Sequence, residues 1–319
     1  MRMSDRIGKR IKLQDVHTLM AVVQAGSMGK AARHLSTSQP NISKSIADLE
    51  HALGVRLLDR HRQGIAPTDY GRALLEGGAA VFDELRQAVK RIEFLADPTI
   101  GEVRVGCSPM LAASLGSAVV DRLSRRHPRM EFHLVTGNVE ALHHGLSERD
   151  VDLLIAWQLG PIADARLDFE ILFEDRWVVA AGVQSPWTRK RRLTLAELVN
   201  EPWVVQKSHP GSGTASMTAL ITKQVFGASG LDYPRTTVVA DSPLVRMTLL
   251  ATGRFLTIWP ASTLMFSTWR RELKALPVVL PVSRLPSGII TLKNRTLSPA
   301  ARLFIDTVRE VAKPFAKQK

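Results

Sequence analysis

Apolar residues near the start of the chain recur at helical rather than strand spacing. Leu13, Val16, Leu19, Met20 and Val23 trace one stripe of a 3.6-residue repeat. Ala25-Gly26-Ser27 breaks the stripe, and Ser27 is placed to cap a second helix over residues 28–35. After a short Ser36-Thr37 turn, Ser38 is a good N-cap, because its side-chain oxygen accepts from a backbone N–H that has no helical partner. Pro40 is tolerated in the first turn, where its missing N–H costs nothing. Ile42, Ile46, Leu49 and Leu53 share a narrow arc, and Gly54 suits the left-handed residue that ends a helix. The pattern predicts a helix, a tight turn and a second helix.

Residues 68–96 hold no proline and read as one long helix. Leu74, Gly78, Val81, Leu85, Ala88, Ile92 and Leu95 step alternately by four and three, a heptad seam that suits a partner helix. A helix of about 28 residues is roughly 42 Å long. From Thr99 onward the period changes. Residues 101–107, 130–136 and 151–157 read as strands, the last a continuous apolar run of the kind buried on both faces. Helices opened by Ser108-Pro109 and Gly137-Asn138 lie between them, which implies right-handed crossovers and a parallel sheet. A second set follows, with strands at 176–183, 203–205, 237–240 and 255–259. Its helices start at a Thr194/Glu197 capping box, at residue 216 and at Ser242-Pro243. Strands near Val278 and Ile289 and a helix opened by Ser298-Pro299 complete the pattern. The expected fold is multidomain α+β, ending in two α/β lobes. The chain is expected to cross between them near residues 172–174 and 276–279.

Composition narrows the class. The 319 residues leave room for two or three domains, and 45% hydrophobic residues support ordinary cores. A net charge of +13 favours acidic partners: nucleic acid, an anionic membrane surface or anionic small molecules. A single cysteine, Cys107, allows no internal disulfide and fits a reducing compartment. The basic start has no apolar stretch after it and is not a secretory signal; no apolar run is long enough to span a membrane. The expected location is the cytoplasm.

Charge and pattern meet in the second helix of the pair. Its outer face carries Ser38, Gln39, Pro40, Asn41, Ser43, Lys44 and Ala47. A solvated amphipathic face is the bland alternative. Small, hydrogen-bonding residues instead give the low relief a helix needs in a major groove, and a glutamine reaches an adenine edge with two bonds. Arg60 and Arg62 precede a Gln63-Gly64 turn with an extended piece on either side, a basic wing suited to phosphates.

The stretch AGSMGKAARHLSTSQPNISKSIADLEHALGVRLLDR, followed by RQGIAPTDYGRALL, resembles the winged helix-turn-helix of LysR-type transcriptional regulators. Ala31, Ala32, Leu35, Ser38, Gln39, Pro40, Ser43, Ile46, Leu49, Glu50, Leu53, Gly54, Leu57, Arg60, Thr68 and Gly71 match the family pattern. Asn41, Leu58, Pro67 and Tyr70 depart from a usual Ala, Phe, Leu and Ala. Of these, Asn41 bears on base preference. The resemblance implies a DNA-binding domain over residues 1–67, a dimerising linker helix over 68–98 and an effector-binding domain over 99–319. It assigns 99–173 and 278–319 to one lobe and 174–277 to the other, similar to periplasmic solute-binding proteins. It adds Thr68 to the DNA contacts. It implies a promoter operator, a homodimer or homotetramer, and RNA polymerase as a candidate partner. No cofactor is implied beyond a small-molecule co-inducer, expected to be anionic.

Ligands of such lobes sit at strand ends against helix N-termini. Ser108, Asn138, Ser208 and Thr214 of the SHPGSGT stretch, and Pro260 occupy such places. Helix capping is the plain alternative for each, and Ser108 is where the family commonly places an effector contact. His143-His144 with Glu148, Asp150 and Asp152 has poor metal spacing, because adjacent histidines point to different helix faces. TRKRR at 188–192 reads as a surface loop, and Cys107 as a buried apolar residue. No nucleophile motif, P-loop or dinucleotide fingerprint is present, so no enzyme is expected. The rival is a solute-binding or enzymatic α/β protein with an accessory helical segment.

Overall fold

The computed structural model describes residues 7–61, 64–158, 160, 162, 164–206, 217–266, 271–282 and 284–316. The chain divides into two compact units, Met1–Ala88 and Val89–Lys319.

In the first unit the three apolar stripes become α1 (Leu13–Ala25), α2 (Met28–His34) and α3 (Gln39–Leu53). Their ends are set by local chemistry. Gly26 and Gly54 take the left-handed conformation, at φ 67° and 72°. Ser27 Oγ accepts from the Lys30 amide at 3.1 Å, and Ser38 Oγ from the Asn41 amide at 3.4 Å. Leu19, Val22, Ala31, Ile42, Ile46, Leu49 and Leu57 form the core beneath. Each large aliphatic side chain buried there contributes about 1.5–3 kcal/mol. β1 (Leu58–His61) and β2 (Gly64–Pro67) pair antiparallel as the wing. α4 (Asp69–Ala96) follows at once. Gly71, in its first turn, has no room for a side chain, since a Cβ there would stand 2.1 Å from the Leu57 carbonyl oxygen.

The second unit takes the last turns of α4 and continues with β3 (Ile100–Cys107). A helical stretch follows, made of α5 (Pro109–Leu111), a π-helical turn Ala112–Gly116 and α6 (Ser117–Arg126). Then come β4 (Arg129–Thr136), α7 (Val139–Ser147), β5 (Leu153–Trp157) and β6 (Leu167–Asp175). The chain passes to a second sheet through β7 (Trp177–Gly182), α8 (Leu195–Leu198), β8 (Trp203–Val205) and α9 (Met217–Ala228). That lobe continues with β9 (Thr236–Val239), α10 (Pro243–Ala251), β10 (Leu256–Pro260), α11 (Ala261–Phe266) and β11 (Leu273–Ala275). β12 (Leu285–Leu292) and α12 (Pro299–Ala316) return to the first lobe.

The first sheet runs β4-β3-β5-β12-β6 and the second β11-β7-β10-β8-β9. β3, β4 and β5 are parallel, as are β8, β9 and β10, so the crossover order in the sequence is realised. Neither sheet is wholly parallel. β12 pairs antiparallel with β5 and β6, and β7 antiparallel with β10 and β11. β6 and β11 carry no clear strand signal, because both are edge strands with partly exposed faces. As a result the first crossing lies at Arg176, beyond the expected residues 172–174, which are inside β6. Glu174 and Asp175 pair with β12 and so belong to the first lobe's sheet. Buried residues of both sheets, among them Cys107, Ile155, Val179, Trp203 and Ile258, form one continuous core.

Candidate DNA interface and effector cleft

The α3 face is presented by its own caps and by its neighbours. Ile42, Ile46 and Leu49 anchor it in the core, which leaves Ser38, Gln39, Pro40, Asn41, Lys44 and Ala47 exposed, with Ser43 half-buried. Ser45 Oγ donates to Asp15 Oδ1 at 2.6 Å, tying α3 to α1. Asn41 Nδ2 donates to Thr37 Oγ1 at 3.3 Å, so the departure at position 41 braces the turn before the helix. Glu50 Oε1 accepts from the Leu57 and Leu58 amides at 2.7 and 3.3 Å and holds the wing against α3. Arg60 is exposed on β1, opposite Ile65. Arg62 lies outside the described residues. Thr68, half-buried, joins the wing to the linker helix. Its hydroxyl donates to the Arg56 carbonyl at 2.8 Å and accepts from the Gly71 amide at 3.1 Å, so it caps α4 and fastens the wing to it.

The heptad seam on α4 divides. Leu74 packs against the head's core, and a Cβ on Gly78 would stand 2.6 Å from Val16 Cγ1. From there the stripe is open. Val81, Leu85, Ile92 and Leu95 are exposed, from 45% at Val81 to 80% at Leu95, with Ala88 beside them. Val89, at 52%, widens the strip.

Ser108 stands between β3 and α5. Its amide donates to the Ile155 carbonyl at 3.3 Å, yet its hydroxyl caps no helix. That oxygen is sealed from solvent and has no hydrogen-bond partner. It adjoins a cavity of about 30 Å³ whose walls include Gly137, His143, Trp157 and, from the second lobe, Met217. Burial holds the His143 pKa below its ordinary value, partly opposed by Asp164. Asn138 is a cap, with Oδ1 accepting from the Ala141 amide at 2.8 Å. Pro260 is buried at the end of β10, and its carbonyl accepts from Thr263 Oγ1 at 2.7 Å. Ser208 and Thr214 lie outside the described residues. A larger recess of about 300 Å³ opens between Lys90, Phe94, Glu102, Arg129 and Ser298. Of its charged residues, Lys90 meets Glu102 at 3.5 Å and Arg129 meets Asp97 at 2.6 Å.

The family pattern described as the lysR-family bacterial regulatory helix-turn-helix protein matches residues 13–72, and the one described as the LysR substrate binding domain matches 96–313. The chain belongs to the LysR family of transcription regulators. It is 25% identical to the HTH-type transcriptional regulator GbpR of Azospirillum brasilense, over 94% of this chain and 86% of that protein. A full-length OxyR variant from Pseudomonas aeruginosa shares the fold at a TM-score of 0.64 and 21% identity, over 97% of this chain and 99% of that one. CbnR in complex with its target DNA does so at 0.60 and 20%, over 94% and 100%.

As a LysR-type regulator the chain is a DNA-binding protein with an effector-binding domain, not an enzyme, and the rival reading falls. Among the described residues no cluster of ligating side chains fits a metal, and no helix is long and apolar enough to cross a membrane. Burial pushes the Cys107 thiol up to about 12, which leaves it inert at neutral pH.

Sequence reasoning missed His143, Trp157 and Met217 as cleft walls. A signal existed for two of them: α7 begins at a strand end of the first lobe, and Met217 comes three residues after the end of the SHPGSGT stretch. It also missed Asp175. Asp175 Oδ2 accepts from Trp157 Nε1 at 2.9 Å and from Ser262 Oγ at 2.5 Å, and Oδ1 from the Ser262 amide at 3.0 Å. One carboxylate at the crossover therefore joins β5 of the first lobe to α11 of the second.

Proposed function

We propose that this LysR-type regulator binds an operator duplex as a dimer, with α3 in the major groove and Arg60 of the wing on the sugar-phosphate backbone. Val81, Leu85, Ala88, Ile92 and Leu95 of α4 form the pairing seam. A small molecule contacting Ser108 in the cleft changes the spacing of the two DNA-reading heads. The assembly is a dimer or a dimer of dimers.

The observation that carries the reading is the exposed α3 surface. From Ser38 to Ala47 no acidic residue interrupts it, and every large apolar side chain in that span points into the core. Serine, glutamine and lysine there give hydrogen-bond donors and a positive charge without bulk. The unpartnered Ser108 hydroxyl supports the cleft assignment, since a buried hydroxyl left unbonded costs about 1–3 kcal/mol and a ligand acceptor offsets that.

Gel-shift titrations on a duplex selected from a random pool, and on a scrambled one, test the DNA reading. Each phosphate contact adds about −0.9 to the slope of log K against log salt. Gln39→Ala is expected to erode discrimination by roughly 1–3 kcal/mol for a lost bidentate contact, with little loss on the scrambled duplex. Equal losses on both duplexes remove Gln39 from base reading.

A further inference from the structure

Two arginines are buried among the described residues, and they are treated differently. Arg295 Nη2 meets Asp152 Oδ1 at 3.3 Å, and its Nη1 donates to the Val151 carbonyl at 2.5 Å. Arg246 is 1% exposed, and its Nε and Nη1 have no hydrogen-bond partner. Its guanidinium carbon lies 5.0 Å from the centre of the Trp259 ring. Stacking on an aromatic face stabilises a cation but leaves its in-plane N–H groups unmet.

The backbone position adds to the cost. Arg246 is in the first turn of α10, where its amide donates to the Ser242 carbonyl at 3.2 Å. A helix N-terminus disfavours a cation. Burial pushes the guanidinium down to about 10, with the Asp241 charge opposing, so it stays protonated at neutral pH. A buried cation with open donors at a helix start is the electrostatic complement of a bound anion.

Topology places this group at the ligand edge of its lobe. β8, β9 and β10 are parallel and end on one side of the sheet. α10 starts after β9 on that side, and Trp259 is next to last in β10. α9 begins on the same side, and its Met217 lines the cavity with Ser108.

We propose that Arg246 anchors the oxyanion of a small-molecule ligand at the strand ends of the second lobe. The inference rests on the reading of the two-lobed domain as the effector-binding part, and it names the ligand class: a small carboxylate or phosphate. Arg246 grips the acid with its in-plane donors while Trp259 holds the guanidinium plane.

Thermal unfolding of the full chain, in sodium acetate or sodium phosphate against sodium chloride at matched ionic strength, tests it with wild type, Arg246→Met and Arg246→Lys. Wild type is expected to gain a saturable rise in Tm from at least one of the two anions, and which one assigns carboxylate or phosphate. Arg246→Lys is expected to raise the half-saturating concentration tenfold or more, and Arg246→Met to abolish saturation. Methionine is also expected to leave the Tm in chloride unchanged or higher, because it removes a buried unpaired charge. A saturable rise of the same size in Arg246→Met overturns the proposal, as does a wild type that responds to both anions as it does to chloride. Gel shifts on the same samples keep the two readings apart. Wild type that fails to bind any duplex refutes the regulator reading and leaves the anion result standing on its own.

Discussion

Replacing Asp175 with alanine removes the acceptor that joins the lobes. The carboxylate takes hydrogen bonds from Trp157 Nε1 and from the amide and hydroxyl of Ser262, and it is 2% exposed. Ser262 Oγ is a rotor, but the indole N–H and the amide are fixed. Each fixed donor left buried without a partner costs about 1–3 kcal/mol. With the two fixed donors left unmet, Asp175→Ala is expected to destabilise the Val89–Lys319 unit by about 3–5 kcal/mol. For a domain of this size that is a fall of roughly 6–20 °C in Tm. Asp175→Asn keeps one carbonyl oxygen and is expected to lose about half as much. Urea unfolding of the full chain, followed by tryptophan fluorescence, reports the site directly, since the Trp157 and Trp177 rings lie 5.8 Å apart. An alanine variant within about 1 kcal/mol of wild type would show that the crossover does not depend on this carboxylate.

Two further outcomes follow from the exposed seam and the silent hydroxyl. Leu85→Asp puts a charge in the middle of the apolar strip on α4, where Leu85 is 47% exposed, and is expected to weaken self-association in sedimentation velocity of the full chain; an unchanged mass distribution places the dimer contact elsewhere. Ser108→Val deletes an oxygen that makes no bond, so Tm is expected to hold or rise, whereas a loss of about 1 kcal/mol would identify the hydroxyl as a helix cap after all.

Features set by neighbours in sequence were legible, and features set by distant neighbours were not. Ser27, Ser38, Gly26 and Gly54 act within a few residues of their own position, so their capping roles are readable directly. The seam on α4 was legible as a period but not as a surface, because Leu74 and Gly78 share the repeat with Leu85 and yet pack against the head. Thr68 matched a family position, but only the wing's return past Arg56 shows what its hydroxyl does. β6 was missed because an edge strand with exposed positions shows neither clean alternation nor a continuous apolar run. Asp175 could not be found at all from pattern: its partners are 18 and 87 residues away. Arg246 was visible as the lone charge in PLVRMTLLA, but its lack of a partner is a property of the fold.

The buried polar groups of the two-lobed unit fall into two kinds, and the division bears on mechanism. Asp152 with Arg295, and Asp175 with Trp157 and Ser262, are satisfied by protein groups. Satisfied networks of this kind fix a core. Among the described residues of this unit Trp177 Nε1, Ser287 Oγ, Ser108 Oγ and groups of Arg246 have no partner; the first two lie within strands, whereas Ser108 and Arg246 each stand where a strand end meets a helix start, one in each lobe. A ligand with an acid at one end and a hydrogen-bond acceptor at the other would meet both needs at once only when the lobes are correctly spaced. Its leverage on the spacing then equals the difference in its affinity for the two spacings, and nothing more. A ligand meeting only Arg246 would bind without preferring either spacing. Such a compound is expected to stabilise the protein against heat while leaving its DNA affinity unchanged, and so to act as an antagonist of the true effector rather than a weak version of it.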